Sequence, residues 1–380
     1  MDVSQAFLII TGLISLIYCI QLLLYLFYWK AISKPIKKSP NTNTKVTVVV
    51  PVRNEEKNIV ACIKAISNQC YQNQLFELII VDDCSEDKTV EIALSELANQ
   101  EHLNSSLVQL NRNETTGKKA AITKAVESSN GDLILTTDGD CTMGPHWIRS
   151  MVSCYEHNKP KVIIGTVLIK LEETLFEKLQ SIELCGLAMI SGASIQQNQP
   201  LMANGGNLCY EKKEFYNVRG FRNNKSIPSG DDIFLVLDIH KTNPTGVVFA
   251  NNIDAVVFTK TQKSLLEFYH QRKRWASKSA QLPSLHIKWM GIVVFGTNLL
   301  LLSGIPLALF YNEFDVIVFI SIFGFKSIID FIFLYIATSY FKKEKLMTVF
   351  PIGQLINIIY VSLFGMVGFF GKYNWKGRIH

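Results

Sequence analysis

The sequence predicts an α/β domain with a mainly parallel sheet, joined to one amino-terminal and about three carboxy-terminal membrane-spanning helices. From residue 45 to about 260, apolar β-type runs alternate with helical segments, which favours a sheet wound with right-handed crossovers. On both sides of this interval, apolar runs are long enough to cross a bilayer as helices. Hydrophobic residues make up 48% of the chain and charged residues only 18%, which is more apolar than an ordinary soluble enzyme.

The first half of the alternation predicts four strands and three helices, with Asn54 as the cap of the first helix. In chain order these elements are strand Val46–Val52, helix Glu55–Ser67, strand Phe76–Val81, helix Glu86–Ala98, strand Leu107–Leu110, helix Gly117–Ser128 and strand Leu133–Thr137. The second half is less regular. It predicts strands at Lys161–Lys170, Asn207–Tyr210, Thr245–Ala250 and Val256–Thr259, and helices at Leu175–Ile190, from Asp231 to Ile239 and at Leu265–Ser279.

The first apolar run, Phe7–Tyr28, lacks the basic segment before it and the cleavage pattern after it that mark a signal peptide. Four lysines follow it, so we expect the amino terminus outside the membrane and the next domain in the cytosol. Three further spans are predicted, and the middle one carries Lys326 and Asp330, which we interpret as a structural pair, with a role toward a lipid head group or acceptor as the alternative. The basic residues of the tail favour the cytosolic side, but four simple spans that start from an outside amino terminus would place the tail outside. An interfacial or re-entrant last segment, which would return the tail to the cytosol, is therefore an alternative. The lysines are Lys30, Lys34, Lys37 and Lys38, and the spans are Trp289–Phe310, Phe314–Thr338 and Met347–Gly371.

These observations predict six segments. They are an amino-terminal transmembrane helix (1–29), a basic juxtamembrane linker (30–44), a catalytic domain (45–263), an amphipathic interfacial helix (264–286), a transmembrane region (287–371) and a basic tail (372–380). The eight cysteines show no zinc-ligand spacing, so we read them as reduced thiols of a cytosolic domain. The net charge of +6 comes largely from lysines beside the apolar runs, which favours a membrane surface and argues against nucleic acid.

The strongest chemical signal is Asp138-Gly139-Asp140, directly after the buried strand Leu133–Thr137. Ligands of open α/β sheets bind at the carboxyl ends of the strands, and glycine allows the tight turn that brings both acids to one point. Carboxylate oxygens suit Mg²⁺ or Mn²⁺, ions that commonly accompany phosphates. The alternative is a simple acidic turn.

Two weaker signals lie upstream. Asp83 follows the second strand, where an acid can bind a base or ribose, whereas Asp83 or Ser85 can equally cap the next helix. Gly117-Lys118-Lys119 opens a helix but lacks the earlier glycine of a P-loop, since Arg112 stands there. Lys118 therefore either reaches a donor phosphate or belongs to a solvated first turn.

Three further motifs lie downstream, and each has a purely structural explanation as the alternative to a functional one. Gly205-Gly206-Asn207 is either a plain turn or a close approach for a sugar ring. Asp231 and Asp232 either favour a helix start electrostatically or supply a general base. Arg274 and Trp275, with Gln271, either anchor a helix at the interface or hold a diphosphate and a sugar.

In their order along the chain, these motifs resemble those of membrane-bound inverting glycosyltransferases of family 2, which have the GT-A fold. The resemblance covers residues 45–275, and its most specific motif is Gln271-x-x-Arg274-Trp275. The tail Trp375–Arg378 also looks like endings seen in such enzymes. The other matching stretches are Val48–Glu56, Asp82–Asp87, Asp138–Asp140 and Gly230–Asp232.

The resemblance implies transfer of a hexose or N-acetylhexosamine from a nucleotide-diphosphate sugar, usually of uridine, to a lipid or lipid-linked acceptor at a bacterial inner membrane. It implies a divalent cation, Mg²⁺ or Mn²⁺, held by Asp140 with Asp138, and Asp232 or its neighbour Asp231 as the base. Donor contacts would come from Pro51, Glu55, Asp83, Lys118, Asp138, Gln271, Arg274 and Trp275, and acceptor contacts from Gly205, Asn207, Asp232 and Trp275.

Two alternatives stay open. A processive polysaccharide synthase is the first, although such enzymes generally need more carboxy-terminal helices. A non-catalytic membrane scaffold that retains the fold is the second, and the complete set of acids argues against it.

Overall fold

The computed structural model describes residues 2–32, 43–112, 115–224, 227, 230–280, 282–367, 374–375 and 378–379. The chain forms two compact units: an apolar unit (1–31, 172–193 and 261–380) and a sheet unit (32–171 and 194–260). The predictions for Lys34, Lys37 and Lys38, and for most of the tail at 372–380, lie outside the described residues.

Twelve helices are assigned in the described residues, and five of them lie wholly in the apolar unit (α1 and α9 to α12), while α6 is shared between the units. They are α1 Val3–Ala31, α2 Ile59–Ser67, α3 Thr89–Ala98, α4 Lys118–Ser128, α5 Trp147–Asn158, α6 Leu175–Gln196, α7 Lys212–Asn217, α8 Asp231–Thr242, α9 Leu265–Ala280, α10 Leu285–Phe310, α11 Val316–Tyr340 and α12 Phe350–Val367.

Ten strands form two sheets in the sheet unit, and a further short pair lies near the carboxy terminus. They are β1 Val46–Val52, β2 Phe76–Asp82, β3 Ser105–Gln109, β4 Leu133–Thr136, β5 Thr142–Met143, β6 Val162–Ile164, β7 Val167–Ile169, β8 Leu208–Glu211, β9 Val247–Phe249, β10 Val257–Thr259, β11 Asn374–Trp375 and β12 Arg378–Ile379.

The main sheet has the strand order β3-β2-β1-β4-β8-β6-β9. All its pairings are parallel except those of β8, which is antiparallel to both β4 and β6. Strands β1 and β4 are buried along their whole length, as expected for central strands covered on both faces. The predicted α/β class with a mainly parallel sheet is confirmed, and the carboxyl ends of β1, β2 and β4 meet at one edge.

The first helix begins four residues later than predicted, at Ile59, and Asn54 does not cap it. The reason is a set of hydrogen bonds between the loops that follow β1 and β2. Asn54 N donates to Ser85 Oγ, Glu86 N donates to Asn54 Oδ1, and Glu55 N donates to Thr89 Oγ1. These contacts hold the backbone of residues 54–56 outside the helix, with Asn54 at a φ of +52°. The predicted cap at Ser85 is also wrong, because α3 begins at Thr89.

The predicted strand Lys161–Lys170 is in fact two strands, β6 and β7, which belong to different sheets. The break falls at Gly165. A Cβ on this glycine would lie 2.3 Å from Cγ of Asn207, so the absence of a side chain lets Asn207 pass directly beside the backbone. The apolar, β-branched run continues on both sides of the break, which is why the sequence predicted a single strand.

Four helical segments of the apolar unit are long and apolar enough to be candidate membrane spans: Val3–Ala31, Leu285–Phe310, Val316–Tyr340 and Glu344–Met366. This agrees with the prediction of one amino-terminal and about three carboxy-terminal spans. The predicted Lys326–Asp330 pair is present, with 2.7 Å between Nζ and Oδ2. Segment 172–193, which carries most of α6, groups with these helices rather than with the sheet. The predicted interfacial position of α9 stays a prediction.

Candidate active site

Asp138, Gly139 and Asp140 follow β4 at the carboxyl edge of the parallel strands. Gly139 is required at this point, because a Cβ there would lie 2.9 Å from Val52 Cγ1 and 3.1 Å from Glu55 Cγ. The loop therefore packs tightly against the end of β1, and both acids remain partly exposed. This is the geometry that the acid-glycine-acid pattern predicts.

The ligand atoms of Asp138, Asp140 and Cys141 all lie within 4.8 Å of one another. Two carboxylates at this separation fit a hard divalent cation such as Mg²⁺ or Mn²⁺. The Cys141 thiol is buried, and burial together with the nearby Asp140 and Asp138 raises its pKa well above the usual value, so it stays protonated. Thr259 Oγ1 donates to Asp140 Oδ2 at 3.3 Å. Sequence reasoning missed Thr259 because it lies 119 residues away, on β10.

Lys118 lies between carboxylates that come from two different loops. Its Nζ is 2.6 Å from Asp138 Oδ1 and 3.4 Å from Asp231 Oδ2. Burial acts to lower the pKa of Lys118, but Asp138 and Asp231 outweigh it and hold that pKa well above its ordinary value. The neighbouring Lys119 points elsewhere, since its Nζ donates to the carbonyl of Ile227 at 2.9 Å. Of the two lysines, therefore, Lys118 is the one that joins the acids.

Asp83 is only 2% exposed and lies where the loop after β2 meets the start of α4. Its Oδ1 accepts a hydrogen bond from Gly117 N at 2.7 Å, while Arg53 Nη1 donates to the carbonyl of Asp83 at 2.8 Å. Asp83 thus fixes the residue immediately before Lys118 and does not cap α3. Its predicted contact with the donor nucleotide stays a prediction.

Asp231 and Asp232 open α8 and differ in their surroundings. Asp231 is buried and pairs with Lys118, whereas Asp232 is half-buried and its Oδ2 accepts from Gly205 N at 3.2 Å. A Cβ on Gly205 would lie 2.9 Å from Asp231 Oδ2 and 3.0 Å from Lys118 Nζ, and one on Gly206 would lie 3.1 Å from Asp138 Oδ2. The glycine turn therefore packs directly against the acids of both loops.

The described contacts of the Asn207 side chain lie in the interior, and its predicted contact with the acceptor stays a prediction. The residue is fully buried, and its Nδ2 donates to the carbonyls of Thr166 and Ala255, each at 2.8 Å. Its Oδ1 accepts from Trp147 Nε1 at 3.0 Å. With every polar atom of the amide engaged, Asn207 holds the segments behind the Gly205–Gly206 turn in place.

Pro51 and Glu55 lie at and just beyond the end of β1, at the same edge of the sheet. Pro51 pairs in register with Val81 of β2 and is buried. Glu55 is 3% exposed, and its Oε2 accepts from Asn58 Nδ2 at 2.6 Å. Both residues border the carboxylate loop, and their predicted donor contacts stay predictions.

Gln271, Arg274 and Trp275 lie on α9 in the apolar unit, at the i, i+3, i+4 spacing that puts side chains on one helix face. Sequence reasoning missed Arg272, which is 4% exposed, pairs with Glu183 of α6 at 2.6 Å and lies 4.2 Å from the centroid of the Trp275 ring. No signal in the motif marks this residue, because it stands at an unspecified position of Gln271-x-x-Arg274-Trp275. The convergence of the α9 motif with the carboxylates of the sheet unit stays a prediction.

In a comparison with protein-family models, the model described as glycosyl transferase family 2 matches residues 47–219. Among curated proteins, the chain is 36% identical over 138 residues to the undecaprenyl-phosphate 4-deoxy-4-formamido-L-arabinose transferase of Photorhabdus laumondii, covering 36% of this chain and 41% of that protein. It is 32% identical over 122 residues to glycosyltransferase AglE of Haloferax volcanii, covering 32% and 39%. The chain thus spans about two fifths of the length of each relative.

Among solved structures, the chain resembles the mannosyltransferase PcManGT from Pyrobaculum calidifontis in complex with GDP-Man and Mn²⁺. The TM-score is 0.63 at 15% identity, and the match covers 94% of this chain and 98% of that one. At this identity the likeness shows the fold, and it agrees with the predicted GT-A class.

Proposed function

We propose that the chain, whose residues 47–219 match the model of glycosyl transferase family 2, belongs to this family and transfers a hexose or N-acetylhexosamine from a nucleotide-diphosphate sugar to a lipid or lipid-linked acceptor. The proposal includes inversion at the anomeric carbon, dependence on a divalent cation, and a sheet unit that faces the cytosol of a bacterial cell. The family model and the relatives match only part of the chain, and the proposal extends their activity to the whole chain.

A single observation carries the proposal: Asp138, Asp231 and Asp232 surround one lysine, and Asp140 lies beside them. Like charges at this distance repel, so such a cluster is costly to maintain unless cations or ligands use it. A non-catalytic scaffold would have no physical reason to keep these acids together. Partial exposure of Asp138, Asp140 and Asp232 leaves the cluster open to a ligand.

Asp138 and Asp140 would hold the divalent cation, which supplies charge neutralisation for the leaving diphosphate. The donor set supports this assignment, since two hard carboxylates face one point beside a protonated thiol. The description of PcManGT with GDP-Man and Mn²⁺ accords with it. We favour a uridine nucleotide for the donor, and a guanosine nucleotide is the variant to test beside it.

Asp232 is the proposed general base, because it is the more exposed acid of its pair and Asp231 is committed to Lys118. In this mechanism Asp232 takes the proton of the acceptor hydroxyl, and the acceptor oxygen forms its bond to the anomeric carbon as the bond to the diphosphate breaks. One in-line displacement of this kind inverts the configuration. The prediction that Arg274 meets the leaving diphosphate is separate and rests on the sequence resemblance.

A lipid acceptor is supported by the four candidate membrane spans and by the name of the Photorhabdus relative, which acts on undecaprenyl phosphate. With a phosphate monoester as acceptor, the attacking oxygen is already ionised near neutral pH, so no general base is needed and Asp232 would act as a base only toward a hydroxyl acceptor. A processive synthase stays the alternative, and product length separates the two.

The test is to incubate the purified full-length protein in detergent with Mn²⁺, undecaprenyl phosphate and radiolabelled UDP- or GDP-sugars in turn. We expect label in the lipid fraction with stoichiometric release of nucleoside diphosphate, and one or two sugars per lipid. A long polymer would instead support a synthase.

Asp140→Asn is the diagnostic variant, and Asp254→Asn is its matched control, because Asp254 is an exposed acid in the same unit. We expect transfer to be lost in the first variant and kept in the second. Folded wild-type protein that transfers no label and releases no nucleoside diphosphate with any donor would contradict the proposal.

A further inference from the structure

The position of Lys118 has a consequence for cation binding. Its ammonium is 2.6 Å from Asp138 Oδ1, an oxygen of one of the two acids that the proposed function assigns to the metal. Metal–oxygen distances for Mg²⁺ are about 2.0–2.1 Å, so a bound cation and this ammonium would lie only a few ångströms apart on one carboxylate. Their mutual repulsion is strong in a partly buried site.

Asp231 gives the same ammonium a second partner. Its Oδ2 is 3.4 Å from Lys118 Nζ, so a small movement of the flexible lysine side chain away from Asp138 turns this long contact into a direct one. Gly205 keeps this path clear, since a Cβ there would lie 3.0 Å from Nζ and 2.9 Å from Asp231 Oδ2. The backbone end of the lysine is meanwhile held, because Gly117 N is bonded to the buried Asp83.

We propose that Lys118 acts as an internal counter-cation that competes with the divalent cation for Asp138 and moves to Asp231 when the cation binds. In the cation-free protein the ammonium offsets repulsion among the acids. After the cation has bound, the ammonium lies near Asp231 with its remaining protons available to an oxygen of the donor diphosphate. This inference rests on the proposed function and gives Lys118 and Asp231 positioning roles within it.

The two neighbouring lysines provide a matched comparison. Lys118→Met and Lys119→Met remove the same charge one residue apart. In the described contacts, Lys118 Nζ pairs with the acids, whereas Lys119 Nζ donates to the Ile227 carbonyl and lies 5.4 Å from the Phe234 ring centroid. Lys118→Gln keeps a donor without the charge. Thermal unfolding midpoints of all three variants establish that each is folded.

The experiment measures binding of Mn²⁺ alone to the full-length protein in detergent, by titration calorimetry and by the loss of the free-ion electron paramagnetic resonance signal. Loss of a competing charge-assisted contact predicts that Lys118→Met binds Mn²⁺ roughly tenfold more tightly than the wild type. Lys118→Gln should fall between the two, and Lys119→Met should stay within about twofold of the wild type, since its charge is screened and more distant.

The outcomes separate the inference from the function. If the wild type binds Mn²⁺ and Lys118→Met binds it equally or more weakly, Lys118 does not compete with the cation for Asp138. The proposed metal-dependent function is not contradicted by that result. If Lys119→Met tightens Mn²⁺ binding as much as Lys118→Met, the effect comes from the loss of any nearby positive charge, and the proposed movement of Lys118 from Asp138 to Asp231 is wrong. If no variant binds Mn²⁺, both the inference and the proposed metal site are overturned.

Discussion

Among the lysine–carboxylate clusters of the described residues, the one around Lys118 and the one around Lys326 share their chemistry and differ in their surroundings. In the sheet unit, Lys118 pairs with Asp138 and Asp231, and the side chains of Lys118 and Asp138 are 18% and 35% exposed. In the apolar unit, Lys326 pairs with Asp330, with side-chain exposures of 0% and 7%. The first cluster has more acids than cations and is accessible. The second has one of each and is closed.

The closed cluster is also completed by neutral donors. Tyr18 OH donates to Asp330 Oδ1 at 2.8 Å, and Gln354 Nε2 donates to Asp330 Oδ2 at 2.7 Å. These contacts come from α1 and α12, so one carboxylate of α11 joins three helices. Both oxygens of the Asp330 carboxylate accept hydrogen bonds, and a buried carboxylate that is paired and hydrogen-bonded in this way is tolerated in an apolar environment. From this difference we expect a structural role for the closed cluster and ligand binding at the open one.

The largest expected effect concerns activity in the open cluster. Asp140→Asn removes a proposed cation ligand and should reduce sugar transfer by roughly 10³-fold, because charge on the leaving diphosphate would no longer be offset. The unfolding midpoint should hardly change, since the acid is partly exposed. Transfer assays and thermal unfolding on one preparation check both parts. A large loss of stability in Asp140→Asn would show that the open cluster also has a structural role, as the closed cluster is expected to have.

The next effect concerns stability in the closed cluster. Lys326→Met leaves Asp330 buried and unpaired, so we expect the free energy of unfolding to fall by about 3–5 kcal/mol. Lys326→Met combined with Asp330→Asn removes both charges and should recover most of this loss. Denaturant unfolding in detergent measures each value, and activity per folded molecule should stay near that of the wild type. A catalytic defect in the folded double variant would assign this pair a further role.

The two acids at the start of α8 should differ in their kinetics. With a hydroxyl acceptor, Asp232→Asn removes the proposed base and should lower kcat by about 10²-fold. Asp231→Asn removes only the second partner of Lys118, so a decrease of roughly tenfold is expected. Steady-state kinetics with saturating donor compares them. The reverse order would make Asp231 the base and Asp232 its support.

The smallest effect concerns the space around the lysine. Gly205→Ala introduces a Cβ 2.9 Å from Asp231 Oδ2 and 3.0 Å from Lys118 Nζ, so both groups must shift. We expect kcat/KM to fall about tenfold through misplacement of the acids. Gly144→Ala is the control in the same unit, since nothing lies within 4 Å of its added Cβ, and it should behave like the wild type. Equal effects in both variants would show that the Gly205 contact is unimportant.

The sequence by itself determined the features that depend on local pattern. The alternation of buried strands and helices, the four long apolar segments and the placement of Asp138 and Asp140 after a strand all follow from residue spacing and hydrophobicity, which act over a few residues. The i, i+4 pair Lys326–Asp330 is local in the same sense.

Only the tertiary structure decided which side chains share a contact across long separations. Hydrogen bonds between two loops moved the start of α2 away from Asn54. Close packing at Gly165 divided one predicted strand and committed Asn207 to the interior. The same kind of long-range packing placed Lys118 between Asp138 and Asp231. The physical reason is that hydrogen bonds and ion pairs depend on distances in space, which periodicity along the chain does not encode.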